Sequence, residues 1–523
     1  MKYLKFRTIL LFLILVDLLS FFSYLHPPIN TLCFFIISFL TLILSLNKLE
    51  YGLYIVLAEL FIGSKGYLFS FNLNNKLIFS LRITLFLIVL SVWILKFFEA
   101  WLKEFRKKRK FFIVPEDFLL LRKSNLAKWY YFLFIFIVWG FLQGILQGNS
   151  FDNVFFDFNA WLFFLLIFVF IDTIRDKEQI KIILNILFAS LSFLTLKSIF
   201  VLFVFSHQFK KVIPFLYRWL ADFYLGEISP VSHNFYRVFF TSQVYVLFAF
   251  FIVLSLILGK TIFLKSEKFS LSKLVKKKKI FLSLLFLFAG LTLLLSFSRS
   301  YWFGLFIALI IFFYLFKFIF RNSWLKLFKI VGCLIIFLAL EMGIVYLLIN
   351  YPRPSSGKVV SFTSLVEERI TKKEAAGISR INQLLPLMKA IARHPLIGSG
   401  FGTTVTYKSR DPRVVTRTNP EGWYTTYAFE WGYLDIALKI GLAGLIFYFL
   451  LILKIFQKGW LILKRKVQRK EFEKENYSFV SLGILLSIIA LLSTNIFSPY
   501  LNHPLGIGFL ILSTTIFSIL EKE

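Results

Sequence analysis

The chain is 523 residues long, 58% hydrophobic and only 17% charged, with 70 Phe and a mean hydropathy of +0.77. So much apolar surface excludes a disordered chain or a set of soluble domains, two Cys exclude a disulfide-stapled scaffold, and apolar runs without strict alternation exclude an outer-membrane barrel. The net charge of +32 does not point to nucleic acid, because Lys and Arg cluster in short segments between the apolar runs, as they do in the loops of a polytopic membrane protein.

Taken in order, the elements begin with a basic stretch, Met1 to Arg7, that enters an apolar run with no small-residue cleavage site behind it. A retained first helix is expected rather than a signal peptide. The fold class is an all-α integral membrane protein of about 12–14 transmembrane helices. The runs at 8–25, 29–46, 50–63, 79–98, 129–147, 158–173, 182–206, 239–259, 280–297, 301–319, 330–349, 432–455, 477–496 and 504–520 are the candidate spans, with 50–63 short or re-entrant. Cys33 and Cys333 fall inside such runs and read as small buried hydrophobes. With the N-terminus in the cytoplasm, three basic segments fall on that side: nine Lys/Arg in 99–128, eight in 260–279 and eight in 454–476. Both termini are then cytoplasmic.

The organisation expected is N-terminal transmembrane helices over 1–206, an external amphipathic segment over 207–238, central transmembrane helices over 239–349, a large external loop over 350–431 and C-terminal transmembrane helices over 432–523. The segment Phe209 to Tyr224 mixes aromatic and basic residues, as an interfacial helix does. The large loop carries twelve Lys/Arg against six Asp/Glu, against the usual bias for an external loop, which suggests an anionic ligand. Its residues Tyr351 to Gly357 read as an irregular exit from a span. A helix is expected from Ser379, a plausible N-cap, to Arg393. Ile381, Leu384, Leu385, Met388 and Ala392 recur at helical spacing, and Pro386 should kink the helix or shift its start. His394 either closes that helix or touches substrate. Gly398, Gly400 and Gly402 in Gly398-Ser-Gly-Phe-Gly402 form either a plain turn or a nest of backbone N–H groups for an anion.

Three further features carry chemistry. Arg299 stands in a tight turn, Ser298-Arg-Ser-Tyr-Trp302, between two spans at the same side as the large loop; it either snorkels or binds phosphate. Glu430 sits at the outer mouth of the span that follows the loop, either paired with a loop Arg or acting as a base. Asp435 and Lys439, spaced i, i+4, can pair within that span. Asp17, Glu59, Arg82, Lys197 and Glu341 are ionisable residues inside spans, the kind of feature a transporter or flippase uses. No repeat of halves accompanies them. A non-catalytic membrane scaffold is a third possibility.

In order and spacing these pieces resemble the O-antigen ligase / O-antigen polymerase family of membrane glycosyltransferases. The resemblance rests on Ser298 to Trp302, on Arg380 in the loop helix, on His394-Pro-Leu-Ile-Gly-Ser-Gly-Phe-Gly402, on Tyr433-Leu434 and on Gly441-Leu-Ala-Gly444, across about 235–455. It implies a GT-C-like helical fold in the bacterial inner membrane, with the large loop in the periplasm. It also implies a donor glycan on undecaprenyl pyrophosphate, a lipid A core or growing glycan as acceptor, inversion at the sugar, and neither metal nor cofactor. Where the ligases carry a His three residues before the Tyr-Leu pair, this chain has Glu430, and Trp431 replaces the usual Asn. The site implied has Glu430, Arg299 and Arg380 as catalytic residues. Arg237, His394, Gly398, Gly400, Gly402 and Tyr433 are its pyrophosphate and substrate contacts.

Overall fold

A computed structural model describes residues 5–73, 77–109, 114–232, 234–262, 273–352, 375–411, 414–416, 418–468 and 476–522. Most of the exit read at 351–357 lies outside the described residues. Apolar runs in a bilayer must satisfy every backbone group internally, so they become helices. Among the described residues, twelve helical segments are long and apolar enough to cross, where apolar runs predict them, while the runs at 50–63 and 504–520 form shorter helices. The chain is an all-α, multi-pass integral membrane protein.

The first helices are α1 (Phe6–Leu25), α2 (Pro27–Asn47) and α3 (Leu49–Ile62). At fourteen residues α3 spans only about 21 Å, but it is buried along most of its length, so protein rather than lipid surrounds it. Then come α4 (Leu81–Lys108) and α5 (Ala127–Leu146). The next span is broken: α6 (Phe151–Phe158) gives way to a turn and a 3-10 stretch (Trp161–Leu165) before α7 (Leu166–Thr173). It starts earlier than the expected 158, because the polar Asp152, Asn153 and Asp157 belong to α6. After α8 (Lys177–Ser206), α9 (Ile213–Asp222), α10 (Val244–Ile262) and α11 (Lys273–Ser296), the Ser-Arg-Ser turn leads into α12 (Arg299–Tyr314) and α13 (Trp324–Asn350). The last helices are α14 (Ala375–Arg393), α15 (Gly432–Gln468), α16 (Asn476–Thr494) and α17 (Pro504–Leu520).

The centre of the bundle is α10, packed on α11 and α16, with α8 beside it. Three short antiparallel hairpins cover the end that carries the large loop: β1 (Ser70–Leu73) with β2 (Leu77–Ser80), β3 (Gly226–Ser232) with β4 (Phe235–Phe240), and β5 (Val405–Lys408) with β6 (Trp423–Thr426). None of these is visible as an alternating apolar run. Within the amphipathic segment expected over 207–238, Ile213–Asp222 is helical; the correction is that 226–232 and 235–238 belong to the β3–β4 hairpin, because Val238 and Phe240 bury one face of β4 in the core. Cys333 is exposed on the outer side of α13 and Cys33 is half-buried, so neither is the fully buried hydrophobe expected.

The intramembrane charges are mostly paired. Arg82 binds Glu59 through Nε (2.8 Å) and Nη2 (3.0 Å), and its Nη1 donates to the Ser64 carbonyl. Lys197 binds Asp17 at 2.6 Å and stands over the Trp219 ring. Glu341 on α13 is buried where α11 offers Gly290, a position at which a side chain would collide with the carboxylate.

Candidate active site

The glycine-rich segment after α14 is docked into a break in α15. At Gly441 the backbone leaves helical geometry (φ 75°, ψ 172°). A helix broken inside a membrane frees carbonyls before the break and N–H groups after it, and these must find protein partners. The freed Leu438 and Lys439 carbonyls accept from Ser399 N (2.7 Å) and Gly400 N (3.1 Å), while Leu442 N and Ala443 N donate to the Pro395 (2.8 Å) and Leu396 (3.2 Å) carbonyls. Segment 395–400 thus replaces the missing helical partners. Gly400 has φ +85°, and any side chain there would overlap the Gly144 backbone of α5.

That docking corrects the expected anion nest. Gly398 N donates to the His394 carbonyl, Phe401 N to the Gly140 carbonyl, and Gly402 N to Asp157 Oδ2 (2.9 Å), so every N–H from 398 to 402 has an internal acceptor. The glycines serve close approach, not phosphate. Beneath them Lys439 joins the two broken spans, with Nζ 2.6 Å from Asp157 and 2.7 Å from Asp435. Asn502 donates to the other oxygen of Asp435. The i, i+4 pairing of Asp435 and Lys439 was legible in sequence; Asp157, 282 residues from Lys439, was not.

The arginines converge elsewhere, at the loop end of the bundle. Arg299 starts α12, exposed, and its Nη2 comes within 4.0 Å of where a Cβ on Gly377 would stand, so it lies under the first turns of α14. Arg380 is on that helix, one turn after Gly377. Arg237, from β4, donates through Nε to the Ser296 carbonyl at the end of α11 (3.0 Å) and lies over the Phe239 ring. Burial, then Arg299 and Arg237, pull Arg380 down to about 10, and Glu227 opposes them. Burial lowers Arg237 as well, with Arg299 adding to it and Glu227 acting the other way. Three guanidiniums gathered at one end of the bundle have the chemistry to receive an anion.

Glu430 meets this cluster as an ion pair with Arg380. The pair is held by its neighbours. Trp431 Nε1 donates to the Arg380 carbonyl (2.9 Å), and Glu430 N donates to Gln383 Oε1 (3.3 Å). Gln383 and Glu227 were not singled out in the sequence, and Trp431 stood out there only as the replacement for the usual Asn.

Other expected contacts lie elsewhere. Tyr433 gives its hydroxyl to the Leu492 carbonyl on α16 (2.6 Å), which makes it a helix tie rather than a ligand contact. His394 ends α14, fourteen residues or about 21 Å along the helix from Arg380, and its carbonyl closes the turn on Gly398. Ser379 is no N-cap: α14 starts at Ala375, and the Ser379 hydroxyl accepts from Arg410 N (2.8 Å) and contacts Ser409 Oγ. Pro386 lies inside α14 without ending it or shifting its start. Among the described residues, no group of three or more His, Cys, Asp or Glu is placed to hold a metal ion.

Fold and site together define a multi-pass membrane protein with three arginines and a carboxylate gathered at one end of its bundle. Residues 284–449 match the family model described as O-antigen ligase, a match that opens in α11, takes in the Arg299 turn, Arg380, the docked glycine segment and Glu430, and closes within α15. The match places an O-antigen ligase domain at 284–449 and supports an O-antigen ligase-type membrane enzyme. No curated protein matches the chain. Arg237 and Glu227 lie outside the matched segment.

Proposed function

We propose that the protein transfers a glycan from undecaprenyl pyrophosphate to a hydroxyl of a lipid A core or a growing glycan, with inversion and without a metal. The transfer is at the periplasmic face of the bacterial inner membrane, with both termini cytoplasmic. The observation that carries this reading is the convergence of Arg237, Arg299 and Arg380 from three separate elements. A leaving pyrophosphate gains charge as its bond to the anomeric carbon breaks, and fixed guanidiniums stabilise that charge.

The acceptor oxygen attacks the anomeric carbon, and the carbon–oxygen bond to phosphate breaks with its electron pair going to the pyrophosphate. The acceptor proton goes to Glu430. In the resting state Glu430 is ion-paired with Arg380. The donor diphosphate competes for Arg380, and the carboxylate it releases becomes available as base. Base activation is thereby tied to donor binding. The transporter reading draws less support, because four of the intramembrane charges that suggested it are paired as Asp17–Lys197 and Glu59–Arg82.

The test is full-length protein in proteoliposomes with a labelled undecaprenyl-pyrophosphate oligosaccharide, EDTA present, and products separated by size. A ladder of longer lipid-linked glycans identifies polymerisation; a single transfer to added core lipid identifies ligation. Well-folded protein that makes neither, across several donors, refutes the transferase reading.

A further inference from the structure

The hairpin that supplies Arg237 presents a second charged group on the same face. The β3–β4 register sets Ser229 opposite Arg237 and Glu227 opposite Phe239. Alternation puts Arg237 and Phe239 on one face of β4, so all four residues share that face. The opposite face carries Val238 and Phe240 into the core. Phe239 is half-buried, with the Arg237 guanidinium 4.6 Å from its ring centroid and the Tyr301 ring 5.7 Å away. Tyr301 is two residues after Arg299, which fixes this face against the start of α12.

Two carboxylates therefore meet the arginine cluster, and they differ. Glu430 is committed to Arg380. Glu227 is exposed, and among the described residues it forms no ion pair. Its charge still reaches Arg237 and Arg380, favouring the cationic form of each against the burial that lowers both. A diphosphate held by the guanidiniums would repel a carboxylate lying among its oxygens. An uncommitted carboxylate at the edge of such a site is an acceptor-only group, suited to charge-assisted hydrogen bonds from neutral hydroxyls.

We propose that the Glu227 face of the β3–β4 hairpin is the acceptor subsite, where Glu227 accepts hydrogen bonds from glycan hydroxyls beside the one that attacks. The inference rests on the transferase reading above. Glu227 then orients and selects the acceptor, while Glu430 takes the proton. The ligand class is a neutral sugar unit, since a carboxylate or phosphate next to the attacking hydroxyl would be repelled by Glu227.

The experiment uses full-length protein in proteoliposomes, with purified lipid A core glycolipid or the unlabelled lipid-linked glycan as acceptor probe, whichever supports turnover by wild-type protein. Initial rates are taken with acceptor varied at saturating donor, then with donor varied at saturating acceptor. Glu227→Gln should raise the acceptor KM by about ten-fold or more with the donor KM within two-fold of wild type. Glu227→Asp should recover part of the loss. Binding of undecaprenyl diphosphate by the variant, measured separately, reports that the arginine site is intact; a variant that has lost it is replaced by Glu227→Ser in the same assay. An acceptor KM that does not move in either variant, or a fall in kcat alone with loss of one limb of the pH profile, overturns the subsite. Wild-type protein that turns over no donor refutes both readings, whereas wild-type turnover with an unmoved acceptor KM refutes only this one.

Discussion

Two regions of the molecule handle charge in opposite ways. Inside the spans, Arg82 is matched by Glu59, Lys197 by Asp17, and Lys439 by Asp157 and Asp435. At the loop end three arginines stand together with one committed carboxylate and one uncommitted one. Burying a charge costs several kcal/mol unless a partner offsets it, so each cation of the first region is paired within the fold. The second gathers three cations against two carboxylates, so an incoming anion relieves the repulsion that remains. The lesson is that a chain with +32 net charge pairs its intramembrane cations one by one and gathers arginines from separate elements at the loop end.

The largest expected effect tests the first half of that contrast. Lys439→Met leaves Asp157 and Asp435 facing each other without a cation. Loss of a buried partner of this kind should cost about 3–5 kcal/mol, read as a collapse in thermal stability in detergent. Asp157→Asn with Lys439→Met should be milder than Lys439→Met alone, because it removes one of the two orphaned charges. Equal damage in both would show that the triad is not an electrostatic unit.

Next come the arginines, where the contrast predicts lost activity with retained fold. Arg299→Ala or Arg380→Ala should lower kcat/KM by about 10²–10³-fold, the usual result of removing one fixed donor from a developing charge. The melting temperature should stay close to wild type. A variant that unfolds instead would move these arginines into the structural class.

Glu430→Gln separates the latch from a simple salt bridge. Loss of the base should reduce kcat by about 10²-fold or more. Donor affinity should rise at the same time, because Arg380 no longer has a competing carboxylate. Weaker donor binding in this variant would mean that Glu430 supports the donor site rather than guarding it.

Two smaller effects remain. Gly400→Ala forces a side chain into a backbone at φ +85°, so it should destabilise by about 1–3 kcal/mol through the docked segment, with the donor KM little changed. The pH profile follows Arg380, pulled down to about 10 by burial and its two arginine neighbours. Its protonated form binds the anion, so donor affinity should be full below that value and fall as pH rises through about 10. Glu227 opposes the downward pull, so Glu227→Gln should move the fall to lower pH. An unshifted limb would place Glu227 too far from Arg380 to matter.

Much of this was legible before any coordinates. The apolar runs predict the spans, because period and length are properties of contiguous residues. The turn at Arg299 and the charge at Glu430 are local too. What failed depended on distant partners. The glycines at 398, 400 and 402 suit an anion nest and a helix dock equally, and the break at Gly441 decides between them. Tyr433 looks like a ligand contact until the Leu492 carbonyl takes its hydroxyl. The β3–β4 hairpin hid inside an amphipathic pattern because its burial alternates over only the last four residues of β4.

The sequence by itself determined the class and the order of the apolar spans, and it singled out basic residues in the large loop. These follow from composition, hydropathy and spacing, which each segment carries alone. Tertiary structure decided which charges are neutralised and which stay open. That depends on whether Asp157 reaches Lys439, and whether Arg237 reaches the end of α11, across gaps of 282 and 59 residues. Coulomb energy falls with distance in space and takes no account of separation along the chain, so only the folded bundle could sort one set of charges from the other.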